Sequence, residues 1–261
     1  MSRFNKFLAI IAAAVFSHWA QAESSIGGSI EDYHWQETID NAPLSPEEYG
    51  LRYAIHLKWT QDRERGLLFG YRGKFYAGEV RYDTFLQTPA QTPVQTTTQY
   101  TGTVQEGQVI YRTGGVNHIF DYLAGLGLDT WQRNIDSNGY SQIKDFQIIY
   151  LRANINLDQP AHAIGWHGEG GLKYPIYTWE DAHLESLGYD SNPIITPGKD
   201  ITLYAELGYR ISKYWDVLGY YDSWRFKRSN IVVASPGIYE CCVLQPKSSM
   251  DAYGITVIHS F

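Results

Sequence analysis

The last eleven residues, Asp251 to Phe261, alternate with a period of two. Tyr253, Ile255, Val257 and Phe261 fall on one side with His259 as their single polar companion, and Ala252, Gly254, Thr256 and Ser260 fall on the other. Successive side chains of a strand point to opposite faces, so this segment is a strand with one apolar face and one small, mostly polar face. The pattern recurs upstream. Leu51, Tyr53, Ile55, Leu57 and Trp59 oppose Arg52, Ala54, His56 and Lys58, and Ile201, Leu203, Ala205, Leu207, Tyr209 and Ile211 oppose Thr202, Tyr204, Glu206, Gly208 and Arg210. Such strands bury their apolar faces in one of two ways: inward, as in a secreted sandwich, or outward against lipid, as in a closed barrel.

The order of the segments favours the barrel. Ten strands are expected, near 28–38, 51–59, 67–86, 103–112, 120–129, 149–156, 166–176, 201–211, 215–226 and 251–261, with a bulge near Ala77-Gly78 and the facing of the ninth left open. Short turns near 61–66, 113–117, 158–161 and 212–214 alternate with longer connections near 39–48, 87–100, 133–141, 178–199 and 228–249. An even strand count with short turns at one end and long loops at the other is the transmembrane-barrel arrangement. After the first residues no apolar run approaches the roughly 20 residues of a membrane helix. A closed barrel is the other structure that satisfies every backbone group in lipid. The expected fold is therefore all-β: a closed antiparallel transmembrane barrel.

The closing strand resembles that of bacterial outer-membrane β-barrels. The resemblance implies that Tyr253 and the terminal Phe261 belong to the signal read by the barrel-assembly machinery. Arg3 and Lys6, the apolar run Phe7 to Phe16 and Ala20-Gln21-Ala22 read as a secretory signal peptide cleaved near Ala22. Residues 23–261 are then one outer-membrane domain, its partners being outer-membrane lipid and the assembly machinery. The net charge of −7 argues against nucleic acid as a partner. Among the abundant aromatics, Trp131, Tyr220, Tyr221, Trp224 and Phe226 are expected at the lipid interface.

If the apolar faces meet lipid, the polar faces meet the lumen. That places Arg52, His56, Lys58, Arg72, Lys74, Asp121, Asp129, Arg152, His167, Glu169, Lys173, Glu206 and Arg210 inside a narrow barrel. Charges of both signs there should pair across the lumen and plug it. A selective pore would call for a run of one sign. Asp181-Ala-His183, in the fourth long connection, together with the ten strands, is similar to the omptins. That resemblance implies an Asp–His couple activating water opposite a pair of aspartates. The 87–100 segment has no Asp or Glu, which leaves only Asp83 as a stand-in. No nucleophile elbow, phosphate loop or zinc-spaced cluster is present, so neither cofactor nor metal is expected, and His162 and His167 read as hydrogen-bonding residues. Cys241-Cys242 are adjacent and the chain has no other cysteine, which leaves a vicinal disulfide, a link to another chain or a free thiol pair. The expected role is a non-enzymatic structural, surface-recognition or small-ligand-binding barrel. A narrow channel and an omptin-like hydrolase are the alternatives.

Overall fold

A computed structural model describes residues 22–40, 45–62, 64–85, 92–114, 119–137, 140–159, 163–235 and 241–261. The expected signal segment, apart from Ala22, lies outside them, as does His162. Ten long strands form the body: β1 (Ala22–Thr38), β2 (Glu47–Gln61), β3 (Gly66–Phe85), β4 (Pro93–Arg112), β5 (Ile119–Ser137), β6 (Tyr140–Asp158), β7 (Gly165–Asp181), β10 (Thr202–Arg210), β11 (Trp215–Lys227) and β14 (Lys247–Ser260). Among the described residues four short strands, β8 (Ile194–Ile195), β9 (Gly198–Lys199), β12 (Val232–Ala234) and β13 (Cys241–Val243), lie in the long connections with a 3-10 turn, Leu184–Leu187. Each long strand pairs antiparallel with its neighbour, β7 pairs with β10, and β14 returns to pair with β1. The sheet closes on itself and leaves no edge.

Around the ring the side chains alternate outward and inward. Outward positions form an apolar belt that includes Leu51 to Trp59 on β2, Tyr122 to Leu128 on β5, Leu203 to Tyr209 on β10 and Tyr253 to Val257 on β14; Tyr53, Leu203 and Ile255 are each more than half exposed. Leu51 to Trp59 spans about 27 Å along the strand at about 3.4 Å per residue. At a tilt of about 40° that is close to the apolar band of a membrane barrel. The fold is that of an outer-membrane β-barrel.

Above the belt, toward the long connections, the outward face turns polar: Glu79, Arg81 and Asp83 on β3, Asp251, Ser249 and Lys247 on β14. The inward face at the same levels turns aromatic, with Tyr33, Trp35, Tyr76, Val80, Tyr100, Trp131, Phe146, Trp224 and Phe226 in one buried cluster. The strands therefore run past the lipid and become an ordinary water-soluble barrel with a greasy core.

That inversion explains where sequence patterning misleads. The phase change near Ala77-Gly78 is not a bulge, because the β3–β4 pairing runs unbroken in one register from Gly66 to Phe85. The apolar residues change face there because the environment outside changes from lipid to water. The register shift lies instead between Ile149 and Tyr150, opposite Pro175 to Tyr177 on β7. Pro175 has no N–H to give a ladder, and a bulge accommodates it. The polar 93–100 stretch, expected as loop, is the upper half of β4, and 133–137 and 140–141 are the upper ends of β5 and β6. Trp131, Trp224 and Phe226, expected at the lipid interface, are buried inside the barrel, and Tyr220 also points inward; Tyr221 alone of that group is outward, packed on Tyr253 at 5.0 Å.

Candidate functional site

Three storeys stack in the lumen. At the short-turn end is a cavity of about 1170 Å³ whose rim carries Asp62, Arg65, Gly114, Gln159 and Lys213. Its walls include His56, Lys58, Arg72, Asn156, His167 and Arg210. Near this end polar partners lie close to home: Arg112 pairs with Asp121 (3.1 Å) and Arg210 with Asp158 (3.1 Å), and His167 Nε2 lies 2.6 Å from Asp216 Oδ2. His56 Nε2 sits 2.8 Å from Ser29 Oγ.

The middle storey is an ionic net spanning the barrel. Arg72 on β3 reaches Glu169 on β7 and Glu206 on β10 (3.2 Å). Arg152 on β6 bridges Glu169 and Glu106 (3.1 Å), while Tyr204 donates to Glu169 (3.0 Å) and Tyr150 to Glu106 (2.9 Å). Glu31 on β1 accepts from Arg52 (2.7 Å), Lys74 (2.5 Å) and Tyr220 (2.6 Å). Lys173 pairs with Asp222 and lies 3.8 Å over the Trp224 ring.

Each residue expected in the lumen points there, and the structure supplies the partners that the pattern left out: Glu31, Glu106, Asp158, Asp216 and Asp222. Glu31, Glu106, Asp216 and Asp222 lie on β1, β4 and β11, whose alternation in sequence is weak. Inward glycines offered a second signal. Tyr76 lies over Gly102, Tyr150 over Gly127 and Tyr220 over Gly254, each directly opposite in the ladder, so that a Cβ on any of these glycines would collide with the ring.

The upper storey is the aromatic seal. Trp131 stacks on Phe146 at 4.8 Å and 7°, and Tyr150 meets Trp224 edge-on at 5.0 Å. Below them Trp224 Nε1 donates to Asp129 Oδ2 (2.9 Å). Arg133, wholly buried, pairs with Glu48 (2.6 Å) and Glu37 (3.5 Å) and lies 4.9 Å from the Trp35 ring centre. Thr98 (2.9 Å) and Tyr100 also donate to Glu48, and Gln245 from the last long connection donates to Glu37 (3.1 Å).

Above the seal a small cap forms. Ala182, Leu184, Ile195 and Ala234 make its core, with Leu187, Tyr189, Val232 and Val243 packed around. Asp190 ties the two connections together: its N–H donates to Ser235 O (3.0 Å) and its Oδ1 accepts from Ser235 N (2.8 Å). That backbone N–H, with the Ser191 hydroxyl, holds the Asp190 carboxyl below its ordinary pKa. Cys242 is exposed on β13; the side chain of Cys241 lies outside the described residues.

The proposed catalytic couple takes a different form here. His183 Nε2 pairs with Asp145 Oδ2 at 2.7 Å, and Asp181 instead accepts the His183 backbone N–H (2.9 Å). Asp145 is on the outer face of β6, where Gln132 on β5 donates to it (2.9 Å). Asp83 is on the outer face of β3, held by Tyr49 (3.1 Å) and Arg81 (2.8 Å). Three strands of the ring, β4 to β6, lie between β3 and β7. The three residues do not share a mouth: each is bound on the barrel's outer collar. Among the described residues no group of His, Cys, Asp and Glu could hold a metal ion.

No protein-family model matches this chain, and no curated protein matches its sequence. In fold it is similar to the outer membrane protease OmpT from Escherichia coli, with 10% identity, 93% of this chain and 97% of that chain covered, and a TM-score of 0.49. Further likenesses are the attachment invasion locus protein Ail of Yersinia pestis (10% identity, 92% and 99% covered, TM-score 0.36) and the translocator domain of the autotransporter NalP from Neisseria meningitidis (8% identity, 98% and 94% covered, TM-score 0.42). These likenesses assign no role, and the barrel is read from the chain's own ring of strands.

Proposed function

We propose that this protein is a non-conducting barrel of the bacterial outer membrane that holds a rigid, polar recognition platform above the lipid. The observation that carries the reading is the aromatic seal. A cluster of buried rings, with Arg133 paired to Glu48 and Glu37 beside it, occupies the bore above the ionic net, where a transport route would need continuous space or a line of like charge. The extended strands and the cap give the platform a fixed shape, which suits a binding surface. In this reading Phe261, exposed on the closing strand with its N–H bonded to Ser24 O (2.9 Å), serves barrel assembly.

Refolded protein in a planar bilayer tests the seal. A flat current trace is expected, and discrete ohmic steps from the wild-type chain would overturn the reading. The hydrolase alternative is tested by peptide cleavage with wild type, Asp181→Ala and His183→Ala. No activity, or equal activity in all three, is expected. Cleavage confined to the wild type would replace the platform with an enzyme.

A further inference from the structure

On β4 the polar outward face continues down into the apolar belt. From Gln95 to Gly107 its outward face contains only Gln, Thr and Gly. Part of that face lies within the apolar belt: Thr103 is beside Phe75 on β3, and Gln105 is beside Leu128 on β5. Tyr71 donates to Gln105 Oε1, and Gln105 Nε2 donates to Thr103 Oγ1 (2.5 Å). A primary amide has two N–H groups and two acceptor lone pairs, so this chain uses half of the capacity of Gln105. Lipid tails supply no partner for the remainder. Next to it Gly107 is open, since a Cβ there would meet nothing within 4 Å.

We propose that this face is a dimer interface whose occupant is a second copy of the chain, related by a two-fold axis along the membrane normal. The argument rests on charge and symmetry. An isologous contact sets a patch against itself, so the patch must be self-complementary. Gln and Thr each donate and accept, and they meet their own copies without like-charge repulsion. The flanking collar, Glu79, Arg81 and Asp83 on one side and Asp136 on the other, is charged, whereas β4 is neutral along its whole outer face. The open position at Gly107 lets two backbones approach closely, as small residues do between membrane segments. The outward face of β4 itself is about 41 Å long and one strand, or about 5 Å, wide, on the order of 200 Å², so the contact also draws on the outward residues of β3 and β5 beside it.

The test is cysteine cross-linking of the full chain in outer membranes, in a Cys241→Ser/Cys242→Ser background. Thr103→Cys on β4 is compared with Val217→Cys on β11, on the far side of the ring. With copper-catalysed oxidation, Thr103→Cys should give mostly disulfide-linked dimer and Val217→Cys almost none. Adding Gln105→Leu to Thr103→Cys should cut the dimer at least tenfold while the heat-shifted gel mobility of the folded barrel is retained. Equal cross-linking at both positions, no cross-linking at either, or a dimer yield indifferent to Gln105→Leu would overturn the proposal.

Discussion

Glu48→Gln removes one charge from the most deeply buried ion pair of the seal. Arg133 and Glu48 are both fully buried and 2.6 Å apart. Thr98 and Tyr100 donate to different oxygens of the carboxylate, so the isosteric amide keeps one acceptor and the shape of the side chain, and the loss is polar and electrostatic rather than steric. Breaking a buried pair from one side costs about 3–5 kcal/mol, because the remaining charge is left in a poor solvent. Here Arg133 keeps Glu37 at 3.5 Å and the Trp35 face at 4.9 Å, which places the expected loss near the bottom of that range, at about 3 kcal/mol. That is more than a hundredfold in the folding equilibrium. The assay is urea unfolding in lipid vesicles followed by tryptophan fluorescence, with Trp35, Trp131 and Trp224 as reporters inside the seal. Replacing both partners, Glu48→Gln with Arg133→Met, removes the stranded charge and should recover much of the loss. A single-variant loss below about 1 kcal/mol, or a double variant as unstable as the sum of the two singles, would refute the account of the seal as a charge-compensated core.

Other predictions follow from neighbouring features. Trp131→Ala with Trp224→Ala takes two rings out of the seal, and planar-bilayer recordings should show conductance steps absent from the wild type. Gly127→Ala drives a methyl group into the Tyr150 ring and should cost about 1–3 kcal/mol by the same vesicle assay, as overpacking does. The Asp190 carboxyl has its pKa lowered by folding, so the cap's stabilisation is present above the unfolded-chain pKa and lost as pH falls through the folded value. Pepsin cleavage within 182–201 should therefore rise as the medium is acidified below about pH 4, and Asp190→Ala should be cut rapidly throughout the pepsin range. Phe261→Ala should slow the appearance of heat-modifiable barrel in outer membranes while leaving refolding in detergent unchanged.

The seal and the outward His183–Asp145 pair show where reading the chain alone stops. A period of two assigns side chains to faces within one strand, and that was enough to send Arg52, Arg72, Arg152 and Glu169 to the lumen. Weak alternation hid Glu31, Glu106, Asp216 and Asp222, because these strands carry glycine, threonine or aromatic residues on both faces. Trp131, Trp224 and Phe226 were misplaced for a different reason. An aromatic residue near a strand's outer end satisfies a lipid interface and a buried core equally well, and only its neighbours across the bore distinguish them.

What the sequence determined by itself is local: the two-residue period, the alternation of short and long connections, and so a closed barrel with its apolar side toward lipid. The tertiary structure decided everything that depends on relations between distant strands. Ring closure and register set Arg72 against Glu169 and Arg133 against Glu48, and they turned Asp83 and Asp145 outward on different sides of the collar. The physical reason is that a strand's own pattern records which solvent each face meets but not which strand lies across from it. Where the solvent changes along the strand, from lipid to water above Ala77, the same pattern reverses its meaning.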